Sequence, residues 1–349
     1  MQSIKIEGRS IGVGYPVYIV AEMSANHNHD YDNAIRLIQA AKSAGADAIK
    51  LQTYTADTIT IKCDQPEFWI KEDSLWKGRN LYDLYEEAHT PWEWQPKLMK
   101  VAQDLGLDFF STPFDKTAVF FLEDLGVPLY KVASLELVDL PLLRNIARTG
   151  KPIILSTGTS TLKEIKEAVA TIRNEGVKDL ILLKCTSAYP APFEEMNLNT
   201  IPNLAETFKT PVGLSDHSLG VTIPTAAVAL GATVIEKHLT LSRKLGGPDS
   251  EFSLEPNEFK QMVDAVRTTE KALGKIQYGS TPTEKMSLSF RRSLFVVEDI
   301  KEGEEISKLN IRSIRPGHGL PPKYFDQIVG RRVAKDAPKG TPVTWDLLK

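Results

Sequence analysis

Eight short apolar runs, each bounded by turn residues, constrain the fold of this 349-residue chain more than any other feature. The runs are rich in β-branched residues and apolar almost without interruption, which is typical of strands buried on both faces of a parallel sheet. They span residues 17–21, 48–51, 107–110, 129–133, 153–155, 180–184, 211–214 and 233–236.

Segments with apolar residues at helical spacing separate most of these runs. They lie at 32–43, 92–105, 117–125, 140–148, 162–173 and 221–230, and a last helix is predicted at 257–273. Alternating strands and helices predict an α/β fold with a parallel sheet, and eight such units predict a closed (β/α)8 TIM barrel. An open doubly wound sheet is the alternative, but no glycine fingerprint follows the first run.

The character of the chain changes after Gly274. Residues 275–289 are polar and contain Gly279 and Pro282, which is typical of a linker. Residues 290–349 hold short strand-like pieces at 293–297, 311–314 and 343–344. We therefore predict a catalytic barrel at 1–274, a linker at 275–289 and a small β-rich domain at 290–349.

Composition narrows the class of protein. A net charge of −3 argues against a nucleic-acid partner. Two cysteines, Cys63 and Cys185, cannot build a disulfide framework, which favours a reducing compartment. No apolar run approaches the ~20 residues that a membrane helix needs, and the N-terminus lacks a signal-peptide core. We expect a cytoplasmic protein with no membrane partner.

Polar or ionisable side chains follow all eight runs, at the strand ends where barrel active sites lie, and this regularity predicts an enzyme. Two of the six histidines, His217 and His238, end adjacent predicted strands. They could share a divalent metal such as Mn²⁺, although each could also be a hydrogen-bonded structural histidine. His27 and His29 could contact a substrate or complete a loop.

Lysines end four of the predicted strands: Lys50, Lys131, Lys184 and Lys237. Together with neighbouring serine and threonine hydroxyls they favour a pocket for phosphate and carboxylate groups. A Schiff base on a desolvated lysine remains the alternative. Lys237 is expected to be structural, because consecutive residues of a strand face opposite sides.

Carboxylates near the strand ends are candidates for acid–base chemistry or hydroxyl binding, namely Glu22, Glu136, Asp216, Glu236 and Asp249. Asp216 could instead orient a metal-binding histidine from behind. Asp115 is expected to cap the helix that follows it.

The stretches that contain these residues resemble the sialic acid synthase family. They read EMSANHN at 22–28, KLQ at 50–52, STPFD at 111–115, YKVASLE at 130–136, STG at 156–158, KCTSAYP at 184–190, GLSDH at 213–217 and VIEKH at 234–238. RSIRPGHG at 312–319 and IVGRR at 328–332 are similar to the antifreeze-like (SAF, β-clip) domain of that family.

The resemblance implies a domain-swapped homodimer that condenses phosphoenolpyruvate with an N-acylated amino sugar and releases phosphate. It implies Mn²⁺, or else Mg²⁺ or Co²⁺, at His217 and His238. It assigns phosphoenolpyruvate to Lys50, Thr112, Lys131, Ser134, Ser156, Ser187 and Ser215. It assigns the sugar or the attacking water to Glu22, Gln52, Glu136, Tyr189 and Asp249, and an acetyl group to Arg315 of the partner subunit. The residues expected to be catalytic are Glu22, Lys50, Lys131, Glu136, His217 and His238.

Departures from the sialic acid synthases point to one branch of the family. Asp249-Ser250-Glu251-Phe252-Ser253 stands where those enzymes read Asp-His-Lys-Ala-Ser, Ser187 replaces an asparagine, and the loop 75–85 also differs. These features resemble the pseudaminic acid branch, whose acceptor is 2,4-diacetamido-2,4,6-trideoxy-L-altrose, and Phe252 is expected to meet its methyl or acetyl groups. Three alternatives remain open. They are an N-acetylneuraminate or legionaminate synthase that uses N-acetylmannosamine or a related sugar, a Schiff-base aldolase, and a non-enzymatic sugar- or ice-binding protein.

Overall fold

The computed structural model describes residues 3–71 and 74–349. The chain divides into two compact units, Met1–Gly274 and Lys275–Lys349. The first unit begins with an antiparallel hairpin of β1 (Ile4–Ile6) and β2 (Arg9–Ile11). The hairpin isoleucines pack against residues from the first halves of the barrel strands, so the hairpin plugs the amino end of the barrel. This hairpin was not predicted.

The next eight strands are parallel and form a closed barrel, which excludes the open sheet. They are β3 (Tyr18–Glu22), β4 (Ala48–Thr53), β5 (Asp108–Pro113), β6 (Tyr130–Val132), β7 (Ile153–Ser156), β8 (Leu180–Cys185), β9 (Val212–Asp216) and β10 (Val234–His238). Each predicted run overlaps one of these strands, so the barrel prediction is confirmed. Nearly every strand residue is buried, as expected when the interior and the helical layer cover both faces.

Ten α-helices of the described residues belong to the first unit. They are α1 (Tyr31–Ala44), α2 (Ala56–Ile59), α3 (Leu81–Ala88), α4 (Gln95–Asp104), α5 (Lys116–Leu125), α6 (Leu140–Ala147), α7 (Leu162–Asn174), α8 (Thr200–Phe208), α9 (Thr222–Ala229) and α10 (Pro256–Leu273). Asp115 caps α5, as predicted, by accepting hydrogen bonds from the backbone N–H groups of Thr117 and Ala118. Helices α2, α3 and α8 were not predicted. Among residues 3–71 and 74–349, none of the helices combines the length and apolarity needed to span a membrane.

The second unit has its own small core, which includes Leu294, Ile306, Val333 and Val343. Strands β11 (Ser293–Val296) and β12 (Ile311–Ile314) pair antiparallel, a 3-10 helix covers Glu284–Phe290, and α11 covers Phe325–Ile328. The strand predicted at 343–344 is wrong. Only an isolated bridge between Pro342 and Phe295 forms there, and a proline has no N–H group with which to extend a ladder.

Candidate active site

Four buried charges meet inside the carboxyl end of the barrel. Glu22 and Lys50 are paired neighbours on β3 and β4, Lys131 lies on β6 and Glu236 on β10. Lys50 Nζ lies 2.7 Å from Glu22 Oε2 and 3.5 Å from Glu236 Oε1. Lys131 Nζ donates to Ser156 Oγ at 2.7 Å. Two lysines and two carboxylates, if all are ionised, leave this cluster with no net charge.

Burial and pairing act differently on these groups. Burial alone would lower the pKa of Lys50, but Glu22 and Glu236 outweigh it and raise that pKa. Burial dominates for Lys131 and lowers its pKa, although Glu236 opposes the change. Burial raises the pKa of Glu22, which Lys50 opposes. Burial would also raise the pKa of Glu236, but Lys131 and Lys50 lower it. Lys50 is therefore a firmly held ammonium group, which suits it to bind an anion.

Hydroxyl groups surround the same cluster. Lys50 Nζ donates to Thr112 Oγ1 at 3.4 Å, and Ser215 Oγ donates to Glu236 Oε1 at 3.0 Å. These side chains point inward from β5 and β9, so hydroxyl donors and ammonium groups converge on one region of the barrel interior.

Gly158 brings two more hydroxyls together just after β7. Its N–H donates to Ser134 Oγ at 3.0 Å. A Cβ atom at this position would lie 2.7 Å from Ser134 Oγ and closer still to Ser187 Oγ. Only glycine leaves room for both serine side chains. The backbone of the predicted Ser-Thr-Gly turn can therefore lie directly against their hydroxyl groups.

His238 ends β10 and His217 directly follows the adjacent β9, and their ring centroids lie 5.4 Å apart. His217 Nδ1 lies 3.0 Å from the carbonyl oxygen of Thr186, so Nδ1 carries a proton, and in the neutral ring the lone pair is on Nε2. His238 Nδ1 is buried and has no hydrogen-bond partner among the residues that the structure describes. Both rings are therefore available to a ligand.

Asp216 does not orient either histidine, so that alternative is wrong. Its carboxylate lies 2.5 Å from Lys237 Nζ and accepts from the backbone and side chain of Ser218. Lys237 also donates to the carbonyl of Ser218, and the side chains of the ion pair are fully buried. Lys237 thus faces away from His238, as the strand alternation predicted.

A cavity of about 330 Å³ opens beside this cluster. Its polar lining consists of Ser24, Gln52, Ser134, Glu136, Ser187, His238 and Asp249, and Tyr189 and Phe252 add aromatic surface. Gln52 Nε2 donates to Glu22 Oε1 at 3.0 Å and to Ser24 Oγ at 2.9 Å, and Ser24 in turn donates to Asp249. Burial raises the pKa of both Glu136 and Asp249. Within residues 3–71 and 74–349, Glu136 Oε2 finds no hydrogen-bond partner.

Several candidates lie apart from this cavity. Lys184 Nζ donates to the Cys185 carbonyl and to Thr186 Oγ1 rather than towards the cluster. His27 is buried, contacts Thr90 Oγ1 at 3.0 Å and accepts from a backbone N–H, so it completes a loop. Arg315 lies in the second unit, where it is exposed.

Three residues of the site were not among the predicted ones. Ser24 connects Gln52 to Asp249, and it stands only two residues beyond Glu22, a spacing that could have drawn attention to it. Cys185 Sγ lies 3.8 Å from His217 Nδ1. Trp76 lines the cavity from the loop 75–85, which the sequence comparison had singled out, but no helical or strand periodicity indicated that the Trp76 side chain faces the site.

Buried lysines, carboxylates and hydroxyls at the strand ends, gathered beside a cavity, define this protein as a TIM-barrel enzyme. The chain belongs to the NeuB family, whose sequence profile matches residues 37–278, and the SAF domain profile matches residues 291–349.

Curated relatives cover nearly the whole chain. It is 47% identical to a pseudaminic acid synthase of Campylobacter jejuni, over 92% of this chain and 93% of that protein. It is 44% identical to a pseudaminic acid synthase of Helicobacter pylori, over 95% of this chain and 97% of that protein. A crystal structure of N-acetylneuraminic acid synthetase from Leptospira borgpetersenii, in complex with citrate, superposes with a TM-score of 0.73. That enzyme is 33% identical, with coverage of 82% of this chain and 95% of the other.

Proposed function

We propose that this protein condenses phosphoenolpyruvate with 2,4-diacetamido-2,4,6-trideoxy-L-altrose to form pseudaminic acid and phosphate. The similarity to pseudaminic acid synthases, 44–47% identity over more than nine-tenths of the chain, supports this branch over the N-acetylneuraminic acid branch at 33%. The geometric observation that best supports a reaction of phosphoenolpyruvate is the cluster of Lys50, Lys131 and inward-pointing hydroxyl groups beside a cavity.

Phosphoenolpyruvate would bind at this cluster. Lys50 and Lys131 supply positive charge, and the surrounding hydroxyls supply directed hydrogen bonds, from Thr112, Ser134, Ser156, Ser187 and Ser215. The contribution of these groups is chiefly to hold the phosphate and carboxylate in place while the bonds change.

His217 and His238 would hold a divalent metal, for which we propose Mn²⁺, with Mg²⁺ or Co²⁺ as substitutes. The free lone pair on His217 Nε2 and the unpartnered nitrogen of His238 fit this role. No set of three His, Cys, Asp or Glu side chains among the described residues is arranged to hold a metal, so water and substrate oxygens would complete the shell. The ion would polarise the sugar aldehyde as a Lewis acid. It would also offset the negative charge that phosphoenolpyruvate brings to an already neutral cluster.

In the reaction, C3 of phosphoenolpyruvate forms a bond to the aldehyde carbon of the open-chain sugar, and the aldehyde oxygen takes up a proton. Water adds to C2 and loses one proton, which leaves a hydroxyl group on C2. The intermediate then collapses to the ketone as the bond between C2 and the phosphate oxygen breaks, and the hydroxyl proton passes to the departing phosphate. We assign the proton donor for the aldehyde to Glu136, whose raised pKa keeps it protonated closer to neutral pH. Glu22, beside Lys50, would orient the water.

Gln52, Tyr189, Asp249 and Phe252 would contact the acceptor, since all four line the cavity. We further propose a cytoplasmic homodimer in which Arg315 of the partner subunit reaches an acetyl group of the sugar. Light scattering at several protein concentrations tests the dimer. An Arg315→Ala variant that keeps its affinity for the sugar would contradict the contact.

Phosphate release from phosphoenolpyruvate with Mn²⁺ present tests the reaction, with 2,4-diacetamido-2,4,6-trideoxy-L-altrose and N-acetylmannosamine as parallel acceptors. Release with the first sugar only is the expected result. Release with N-acetylmannosamine only would place the enzyme in the sialic acid branch. Borohydride trapping of a substrate–lysine adduct would instead support a Schiff-base aldolase.

A further inference from the structure

The inserted segment 54–94, between β4 and α4, forms the apolar side of the cavity. Its contribution to the lining is Tyr54, Ile59, Ile70, Trp76, Leu81, Leu84, Tyr85 and Ala88. The opposite side carries hydrogen-bonding groups from the strand ends, among them Gln52 and Asp249. An acceptor in this cavity therefore meets polar groups on one side and apolar contacts on the other.

Trp76 extends an aromatic wall that begins at the two imidazoles. The Tyr189 ring lies 4.4 Å from the His217 ring and 5.5 Å from that of Trp76, centroid to centroid. The Phe252 ring lies 4.9 Å from the His238 ring and 6.4 Å from that of Trp76. Tyr189 and Phe252 each bridge an imidazole to Trp76, so the indole stands at the end of the wall remote from the histidines.

The polar edge of Trp76 is already satisfied. Its Nε1–H donates to the carbonyl oxygen of Pro248 at 2.8 Å, which fixes the orientation of the indole. The part of the ring that lines the cavity is therefore purely apolar. Pro248 precedes Asp249, so the same bond also ties the inserted segment to the loop that carries Asp249 and Phe252.

We infer that Trp76 selects the acceptor sugar by contacting the methyl and acetamido substituents at the end remote from the aldehyde. This assignment rests on the proposed function. When the aldehyde lies at His217 and His238, the rest of the sugar chain extends along Tyr189 and Phe252 towards the indole. A methyl or acetyl group gains apolar contact there, whereas a hydroxymethyl group loses its hydrogen bonds to water without replacement.

Two substitutions distinguish the contribution of the indole face from that of the hydrogen bond to Pro248. Trp76→Phe keeps an aromatic face but loses the bond to Pro248, and Trp76→Ala loses both. The matched control is Trp69→Ala, since Trp69 lies in the same segment, does not line the cavity and is 40% exposed. We expect Trp76→Ala to lower kcat/KM for the diacetamido sugar about 10- to 100-fold and to narrow its preference over N-acetylmannosamine. The KM for phosphoenolpyruvate should stay within about twofold, because this loss concerns acceptor binding.

Trp76→Phe and Trp69→Ala should keep the preference of the wild type. Equal impairment of Trp76→Phe and Trp76→Ala would overturn the inference, because the bond to Pro248 would then be the only role of Trp76. An unchanged sugar preference in Trp76→Ala would overturn it as well. If Trp76→Ala does not fold, Trp76→Gln replaces it, because glutamine keeps side-chain bulk but lacks the apolar face, and the same loss of preference is expected.

Binding can be followed without turnover. Titration of the diacetamido sugar in the absence of phosphoenolpyruvate should change the tryptophan fluorescence of the wild type and of Trp69→Ala, but not of Trp76→Phe. A signal that persists in Trp76→Phe would count against contact between the sugar and the indole. Because this readout needs no phosphate release, it separates failure of this inference from failure of the proposed reaction.

Discussion

Lys237 and Lys131 are both buried lysines of the barrel, and we predict that replacing each by methionine has opposite consequences. Lys237 forms an ion pair with Asp216 at 2.5 Å, and both side chains are fully buried. Removal of one partner from such a pair leaves an uncompensated buried charge, which costs about 3–5 kcal/mol. Lys237→Met should therefore reduce the free energy of unfolding of the barrel by that amount. The unfolding equilibrium constant would rise by roughly two to nearly four orders of magnitude.

The matched comparison is Lys131→Met. Lys131 donates hydrogen bonds to Ser156 and to a backbone carbonyl rather than to a carboxylate. In its absence Glu236 still has Lys50 as a counter-charge, so no buried carboxylate is left unpaired. This variant should lose phosphoenolpyruvate turnover while its stability changes less than that of Lys237→Met. Urea unfolding followed by circular dichroism, together with the phosphate-release assay, measures both effects. A double variant, Lys237→Met with Asp216→Leu, should recover much of the lost stability because no charge is left unpaired. A loss below about 1 kcal/mol in Lys237→Met would refute the reasoning, since the carboxylate would then have found water or a proton.

Three further predictions concern the site. Because burial lowers the pKa of Lys131, its positive charge is present at low pH and is lost as pH rises through that pKa. The KM for phosphoenolpyruvate should accordingly rise on the alkaline side, and a KM that stays flat up to the ordinary lysine pKa of about 10.4 would contradict this. Gly158→Ala should lower kcat/KM for phosphoenolpyruvate by about 100-fold, because the new Cβ displaces the hydroxyl of Ser134. A fully active variant would show that the backbone of the turn can shift to make room for the Cβ. Exhaustive chelation should abolish turnover, and added Mn²⁺ should restore the wild type but not His238→Ala; activity that survives chelation would exclude the proposed metal role.

The barrel was predictable because its signal is local. A strand buried on both faces is an unbroken apolar run, and eight such runs with helices between them leave few architectures open. The hairpin β1–β2 escaped because each strand has only three residues, too few to show a period.

The positions of the site residues follow from the barrel, but their pairings do not. Strand ends converge on one face in any such barrel, so Lys50, Lys131 and the two histidines could be placed near one another from sequence. Which carboxylate neutralises which lysine depends on side-chain direction across neighbouring strands. Asp216 therefore looked like a partner for His217, whereas it pairs with Lys237 and a backbone carbonyl orients the histidine instead.

The aromatic wall of Tyr189, Phe252 and Trp76 could be predicted only in part. Tyr189, Phe252 and the loop 75–85 were singled out from the sequence, but the contacts among their rings were not. In the inserted segment 54–94, Leu81, Leu84, Tyr85 and Ala88 share the helical spacing of α3, whereas Trp76 lies in a turn whose residues show no period. Trp76 becomes part of the cavity only through Pro248, Tyr189 and Phe252, which belong to loops far along the chain. If the acceptor is chosen at this wall, the anion site can stay the same while an irregular segment changes the sugar that the enzyme accepts. Members of one such family would then share strand-end residues and differ in this insertion.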